Sequence, residues 1–183
     1  MTDIKRCKWC NLHNPLYVEY HDREWGVPVH DDRKFFEMLL LESFQAGLSW
    51  ECILNKREAF QQAFDQFDYE KIARYDEQKQ EELRNNPGII RNKLKIRAAV
   101  NNARIFMDIQ KEKRSFSEYI WSFTAGKTIY ENSLTSSPLS DKISRDLYRR
   151  GMRFVGTTII YSFLQATGII FSHDDDCFRS KDK

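Results

Sequence analysis

The chain has 183 residues, of which 41% are hydrophobic and 31% charged, and its formal net charge at pH 7 is +2. A chain of this length forms one domain with a full hydrophobic core and needs no disulfide bonds to fold. No apolar run approaches the roughly 18 residues of a membrane-spanning helix, and the first residues lack the apolar segment of a secretory signal. We therefore expect a monomeric, cytoplasmic protein that does not associate with membranes.

Helix signals follow one another along the chain, whereas strands are hard to place. Asp31 and Asp32 are N-cap residues for a helix that ends at Gly47, and Ser49 begins a second helix that carries apolar residues as far as Phe64. Further helices are predicted from Asp68, from Asp76, over 93–110, over 116–123, from Ser140 or Asp141 to Arg150, and over 159–166, with a turn at Pro87-Gly88 and a loop at 135–138. The pattern predicts an all-α fold.

Basic residues are concentrated in two segments. The first contains Arg91, Lys93, Lys95 and Arg97 without an acidic residue, and the second contains Lys142, Arg145, Arg149, Arg150 and Arg153, diluted by Asp141 and Asp146. Two basic segments on a nearly neutral protein fit a face that contacts phosphates. The alternative is that both are solvated helix surfaces.

A glycine-bounded hairpin follows the second basic segment. Gly151 ends one helix with the positive φ that suits a C-cap, and Gly156 opens the next helix. The N–H groups of Thr157 and Thr158 then point outward at a helix N-terminus, where a DNA phosphate binds well. The arrangement resembles the helix-hairpin-helix of DNA-repair glycosylases, and a plain packing turn is the alternative.

Cysteine and histidine residues occur near both ends of the chain. Cys7 and His21 lie near the N-terminus, and His173 and Cys177 share a face at i, i+4 near the C-terminus. Two thiolates and two imidazoles form a closed tetrahedral set that suits structural zinc. Cys10 is a rival ligand, and unrelated side chains at loose termini are the alternative.

An acidic residue stands among apolar and aromatic residues in the first half of the chain. Glu42 is surrounded in sequence by leucines and Phe44, and the aromatic residues Tyr17, Tyr20, Trp25 and Trp50 bracket it. It either turns to solvent or anchors a pocket whose aromatic faces stack a flipped base. Such a cage also attracts a cationic ligand, and N3-alkylated adenine carries a positive charge.

Three motifs occur in order along the chain. They are Tyr-His-Asp-x-Glu-Trp-Gly at 20–26, Leu-Glu-Ser-x-Gln-Ala-Gly-Leu-Ser-Trp at 41–50 and Phe-Val-Gly-Thr-Thr at 154–158. Together they resemble the type I DNA-3-methyladenine glycosylase family over about Cys7 to Cys177. The resemblance implies a helix-hairpin-helix DNA glycosylase fold. It also implies a monofunctional enzyme of base excision repair that hydrolyses the N-glycosidic bond in alkylated double-stranded DNA, releasing 3-methyladenine and leaving an abasic site.

The resemblance also implies roles for matching residues. Glu42 would be the catalytic residue and contact the polar edge of the base, Trp50 would stack on it, and Gly47-Leu48 would wedge into the DNA. The remaining roles are the pocket residues Tyr17, Tyr20 and Trp25, the DNA-binding residues Gly151, Gly156, Thr157 and Thr158, and the zinc ligands Cys7, His21, His173 and Cys177. The chain would then be a single unit, 1–183, with the hairpin at about 141–168 and the termini 1–30 and 169–183 joined by structural zinc.

Three further features bear on the reaction. No lysine lies between Gly156 and Gly168, so we expect no Schiff base with the sugar. Asp174, Asp175 and Asp176 lie where many helix-hairpin-helix glycosylases carry a catalytic aspartate, although an acidic run near a terminus is usually solvated. Phe44, two residues after Glu42, is expected to affect pocket shape. The rival interpretations are a damage-recognition module without catalysis and a structural zinc protein without a nucleic-acid partner.

Overall fold

The computed structural model describes residues 4–182 of the chain. Its helices are α1 (Pro15–Arg23), α2 (Asp32–Gln45), α3 (Trp50–Leu54), α4 (Arg57–Ala63), α5 (Tyr69–Ile72), α6 (Glu77–Asn85), α7 (Lys93–Lys113), α8 (Phe116–Ser122), α9 (Pro138–Arg149) and α10 (Thr157–Ala166). The segments Asp65–Phe67 and Phe178–Asp182 form 3₁₀ turns. Within the described part of the chain, no helix combines the length and the apolarity that crossing a membrane requires. The predicted all-α class is confirmed.

Helix α2 is the centre of the core. It contacts α3, α7, α8 and α10, and its side chains Phe35, Phe36, Leu39 and Leu41 are buried. A helix that is apolar around most of its circumference must be enclosed by neighbours. The segment that carries Glu42 therefore runs through the middle of the protein.

Several predicted helix starts are confirmed by their caps. The side chain of Asp31 accepts from the Lys34 N–H, and that of Ser49 accepts from the Cys52 N–H. Asp68 and Asp76 cap α5 and α6 in the same way. Each cap satisfies an N–H group that has no partner within its own helix.

Two predicted helix boundaries were wrong. The helix expected from Ser49 to Phe64 is broken after Leu54, because Asn55 ends α3 and Lys56 precedes α4 with ψ near 0°. Helix α9 begins at Pro138 inside the predicted loop, and Ser137 rather than Ser140 or Asp141 is its N-cap. Ser137 and Ser140 bond each other's backbone N–H reciprocally, and proline suits the first helical position.

A short parallel pair of strands joins β1 (Ile129–Tyr130) to β2 (Ile170–Phe171). Strands of two residues are too short to show an alternating pattern, so the sequence carried no signal for them. The pairing brings the loop that follows Tyr130 beside the C-terminal segment. Both segments contribute to the site described below.

Candidate base-binding site and metal cluster

Glu42 is buried in α2, with 2% of its surface exposed. This excludes the alternative in which it turns to solvent. Burial raises the pKa of Glu42 well above its usual range, because the carboxylate loses its water. Its Oε2 has no hydrogen-bond partner among the described residues. A buried acceptor without a protein partner is costly unless a ligand satisfies it.

Glu42 lies in the wall of a cleft of about 270 Å³, near the lower end of the range for small-molecule pockets. All four aromatic residues predicted to surround Glu42 line this cleft, namely Tyr17, Tyr20, Trp25 and Trp50. The rings of Tyr20 and Trp50 lie 5.2 Å apart. Burial raises the pKa of Tyr17 to about 12, so its phenol stays neutral at physiological pH. The cleft offers aromatic faces and one buried acid.

Sequence reasoning missed part of this wall. The missed lining residues are Trp9, Gln45, Ser133, Leu134, Ser162, Gln165 and Ser172, whereas Asp174, which also lines the cleft, was considered as a catalytic aspartate. Helical spacing could have indicated some of these residues. Gln45 lies three residues after Glu42, on the same side of α2, and Ser162 and Gln165 lie three residues apart in α10. Trp9 lies between Cys7 and Cys10, and its ring centroid is 4.7 Å from that of Trp25.

The expectation for Phe44 is corrected by its packing. Phe44 is fully buried and contacts Phe60 and Phe64 edge to face, at ring distances of 4.9 and 5.8 Å. It therefore belongs to the core rather than to the cleft.

A second cleft of about 270 Å³ between α6 and α7 is lined mainly by charged side chains such as Glu77, Arg84 and Arg97, and it offers no aromatic face.

The four predicted metal ligands converge from the two ends of the chain. Their ligand atoms all lie within 4.8 Å of one another, and the side chains of Cys7, His21, His173 and Cys177 are buried. His173 Nδ1 lies 3.4 Å from Cys7 Sγ and 3.6 Å from Cys177 Sγ. Zinc bond lengths of about 2.3 Å to sulfur and 2.0 Å to nitrogen place tetrahedral ligand atoms about 3.5 Å apart. The donor set therefore fits a metal ion.

The second nitrogen of each imidazole also has a partner. His21 Nδ1 lies 2.7 Å from Asp22 Oδ1, and His173 Nε2 lies 3.1 Å from the Trp25 carbonyl oxygen. Arg6 in turn donates to the Asp22 carboxylate at 2.6 and 2.8 Å. Such outer contacts orient a ligating histidine and fix which nitrogen faces the metal. Burial lowers the pKa of His21, and neutral imidazole is the form that binds metal.

The neighbouring cysteine and aspartates have other surroundings. Cys10 stands outside the cluster, and its thiol donates to the Tyr17 carbonyl at 3.8 Å. Asp176 forms an exposed ion pair with Lys5, and Asp175 accepts from the Asn132 side chain. Asp174 lines the cleft, where its Oδ2 accepts from the Lys8 N–H at 2.9 Å. The acidic run therefore divides between the surface and the cleft.

The Gly47-Leu48 turn projects beyond α2. Gly47 has a φ of +79°, and a Cβ there would meet no atom within 4 Å. Leu48 follows Gly47 in this turn, and its side chain is 41% exposed. An exposed apolar side chain on a projecting turn has the form of an intercalating wedge.

The hairpin has the predicted glycine geometry. Gly151 has a φ of +102°, and Gly156 is the N-cap of α10, with open space around its Cα and no capping side chain. The hydroxyls of Ser140 and Thr157 lie 2.8 Å apart and join α9 to α10. The backbone N–H groups at the start of α10 are therefore accessible to an anion.

One of the predicted basic residues is not on the surface. Lys95 is 7% exposed, and its ammonium donates to the carbonyls of Phe44 and Ala46, so it cannot contact phosphate. Arg150 is paired with Glu112 and Asp146. The other basic side chains of the two segments are exposed, namely Arg91, Lys93, Arg97, Lys142, Arg145, Arg149 and Arg153.

Comparison with known proteins identifies relatives over nearly the whole chain. Residues 9–180 match the family model described as methyladenine glycosylase. The chain is 44% identical to DNA-3-methyladenine glycosylase 1 of Escherichia coli (strain K12), over 95% of this chain and 96% of that protein. A crystal structure of 3-methyladenine DNA glycosylase I matches with a TM-score of 0.91 and 45% identity, covering 95% and 98% of the two chains. A variant of such an enzyme in complex with 3-methyladenine matches with a TM-score of 0.91 and 35% identity, covering 94% and 96%.

Proposed function

Since the chain belongs to the methyladenine glycosylase family, we propose that it excises 3-methyladenine from alkylated DNA by hydrolysing the N-glycosidic bond, as an enzyme of base excision repair. The observation that carries this function is the aromatic cleft with the buried, unpartnered Glu42 carboxylate in its wall. A relative that binds 3-methyladenine has the same fold. The substrate is damaged duplex DNA, and the products are the free base and an abasic site.

Base recognition is assigned to the cleft. Glu42 accepts a hydrogen bond from the polar edge of the alkylated adenine, and Trp50 stacks on its face. Tyr17, Tyr20 and Trp25 complete the enclosure. Alkylation at N3 makes the purine cationic within DNA, so aromatic faces and a carboxylate both favour it over adenine. Glu42 discriminates and orients the base more than it transfers protons.

The DNA is opened and held by the two projecting elements. Leu48 fills the space that the flipped nucleotide leaves, and Gly47 allows the tight turn that carries it. The N–H groups of Thr157 and Thr158 bind a backbone phosphate at the start of α10, where Gly156 lets the backbone come close. Gly151 shapes the hairpin that presents this end of the helix.

The bond-breaking step needs little acid catalysis. The alkylated base leaves the sugar as a neutral molecule, because its positive charge is cancelled by the electrons of the broken bond. Water adds at C1′ and loses a proton. No lysine is found among the described residues that line the cleft, which supports hydrolysis without a Schiff base.

The metal cluster is assigned a structural role. Cys7, His21, His173 and Cys177 would hold zinc, which ties the two ends of the chain together and supplies no step of the reaction. The chain then acts as a single glycosylase unit over residues 1–183. Cys10 remains outside the ligand set.

The function is tested by incubating the protein with methylated duplex DNA and separating the released bases by chromatography. We expect release of 3-methyladenine and strands that break only after alkaline treatment of the abasic sites. Binding without base release would instead identify a damage-recognition module. A covalent adduct trapped with borohydride would contradict the monofunctional mechanism.

A further inference from the structure

Lys95 contacts the end of α2 from inside the protein. Its ammonium donates to the Phe44 carbonyl at 2.8 Å and to the Ala46 carbonyl at 2.6 Å. The last carbonyls of a helix have no partner within the helix, and a cation there also interacts favourably with the helix dipole. Lys95 therefore caps α2 from the neighbouring helix α7.

The capped carbonyls come directly before the wedge. Gly47 is surrounded by open space, and the Leu48 N–H bonds the Gln45 carbonyl within the turn itself. Packing therefore gives the turn little support at Gly47, and the Lys95 ammonium anchors its base. Loss of that anchor leaves two carbonyls to find other partners and allows the turn to move.

The same helix also holds the hairpin. Asn102 exchanges two hydrogen bonds with the Arg153 backbone, both at 2.9 Å, and Asn101 donates to the Gly151 carbonyl at 2.9 Å. The Lys95 ammonium lies 6.0 Å from the centre of the Phe154 ring. Helix α7 thus contacts both elements proposed to face the DNA, the Gly47-Leu48 turn and the hairpin. Lys95 lies between these two sets of contacts.

We propose that Lys95 is a positioning residue for base flipping, which fixes the Gly47-Leu48 turn relative to the hairpin so that Leu48 enters the duplex. The inference rests on the proposed function and adds a residue that contacts neither base nor phosphate. Lys95 is not part of the cleft wall. Its effect therefore reaches the reaction through Leu48.

The test substitutes Lys95→Met, which keeps most of the side-chain volume and removes the ammonium. Lys56→Met is the matched control, because Lys56 also donates to two backbone carbonyls, those of Pro87 and Gly88, in a loop outside the wedge. We expect Lys95→Met to slow single-turnover excision from duplex DNA by about tenfold, the size expected for a lost charge-assisted hydrogen bond. Lys56→Met should change it by less than about twofold.

Two readouts separate positioning from general damage to the fold. Binding of free 3-methyladenine, followed by tryptophan fluorescence, should change by less than about twofold in Lys95→Met, because the cleft is intact. The excision defect should shrink when the lesion lies opposite a mismatched base, since such a nucleotide is easier to flip. Weaker base binding together with an equal defect on both duplexes would overturn the proposal.

A double-mutant cycle with Leu48→Ala tests the route of the effect. If Lys95 acts through Leu48, Lys95→Met should cost little further activity once Leu48 is truncated. Independent, multiplicative losses would contradict the proposal, as would near-normal excision by Lys95→Met. If Lys95→Met does not fold, Lys95→Gln takes its place, because it removes the charge and is too short to reach both carbonyls, and the same excision defect with normal base binding is expected. Failure of the unsubstituted protein to release 3-methyladenine would instead contradict the proposed function.

Discussion

The aromatic cleft and the cluster of two cysteines and two histidines lie side by side, and they differ in whether their buried polar atoms have partners. In the cleft, Glu42 Oε2 and Trp50 Nε1 have no partner among the described residues. In the cluster, both histidines use both ring nitrogens, one toward the cysteines and the other toward Asp22 or the Trp25 carbonyl. Buried polar atoms are normally satisfied, and two unsatisfied atoms in the wall of one aromatic cleft suit a ligand that supplies their partners. This difference fits the proposed roles, which are ligand binding for the cleft and stability for the cluster.

The cleft and the cluster are in contact through Trp9, so substitutions can test whether the two regions have separate roles. The Trp9 ring centroid lies 5.2 Å from that of His21 and 4.7 Å from that of Trp25, so one side chain touches both. Substitutions in the cluster should act on folding, and substitutions in the cleft should act on the reaction.

The largest effect is expected from Cys177→Ser. Removing a ligand of a structural metal site should destabilise the fold by about 3 kcal/mol or more and release the metal. Cys10→Ser is the matched control, because Cys10 is buried nearby but outside the cluster. Metal content and thermal unfolding measure both variants. Equal losses in the two variants would contradict the assigned ligand set.

A smaller effect on stability, of opposite sign, is expected from Glu42→Gln. The folded-state pKa of Glu42 is raised above its ordinary value of 4.5, so the unfolded chain loses this proton first as pH rises. Stability is therefore lost as pH rises from 4.5 toward the folded-state pKa, and an amide avoids this loss.

We expect Glu42→Gln to raise the melting temperature at neutral pH by about 2–4 °C, corresponding to roughly 1 kcal/mol. The difference should vanish near pH 4. Glu19→Gln, on the exposed surface of α1, is the control and should leave the melting temperature unchanged at both pH values. A lower melting temperature in Glu42→Gln at neutral pH would refute the burial of an unsatisfied acid.

Trp9→Leu tests how separate the two regions are. Loss of one aromatic face should weaken 3-methyladenine binding by up to about tenfold, whereas the metal keeps its four ligands. Trp9→Phe retains a ring and should recover most of the affinity. Titration with the free base and metal analysis give the two readouts. Loss of metal in Trp9→Leu would show that the cleft and the cluster form one unit.

The smallest effect is expected at Glu24, in the segment that leads to Trp25. Burial alone would raise its pKa, but hydrogen bonds and charge from Arg57 lower the pKa of Glu24 to about 2. Its contribution to stability is present above the ordinary value of 4.5 and is lost as pH falls toward 2.

Glu24→Gln should therefore cost at most about 1 kcal/mol at pH 7, since the pair is partly exposed, and almost nothing near pH 2. Urea unfolding at the two pH values provides the measurement. If Glu24→Gln lowers the free energy of unfolding equally at both pH values, the ion pair between Glu24 and Arg57 is not the source of the loss.

Local signals in the sequence predicted much of the fold. Asp31 and Ser49 cap their helices as expected, because a cap depends on residues within one turn. The two-residue strands and the break at Asn55 were not predicted, since both are decided by tertiary packing. The candidate ligand set and Glu42 stood out by their chemistry, but their roles were assigned by the resemblance to the family and not by local pattern.

The remaining site residues depend on contacts between distant segments. Lys95 was interpreted as part of a basic surface, because a run of basic residues does not reveal which member lies under the end of another helix. Trp9 and Ser172 enter the cleft only when the termini come together. No local pattern carries that information.

The most direct test of the account is single-turnover release of 3-methyladenine from duplex DNA by Glu42→Gln. We expect a rate about a hundredfold lower than that of the unsubstituted protein, because a neutral amide, which also presents a donor, replaces the carboxyl group as hydrogen-bond acceptor for a cationic base. The same preparation should be at least as stable at neutral pH. Near-normal release by Glu42→Gln would contradict the assignment of the cleft and of its central residue.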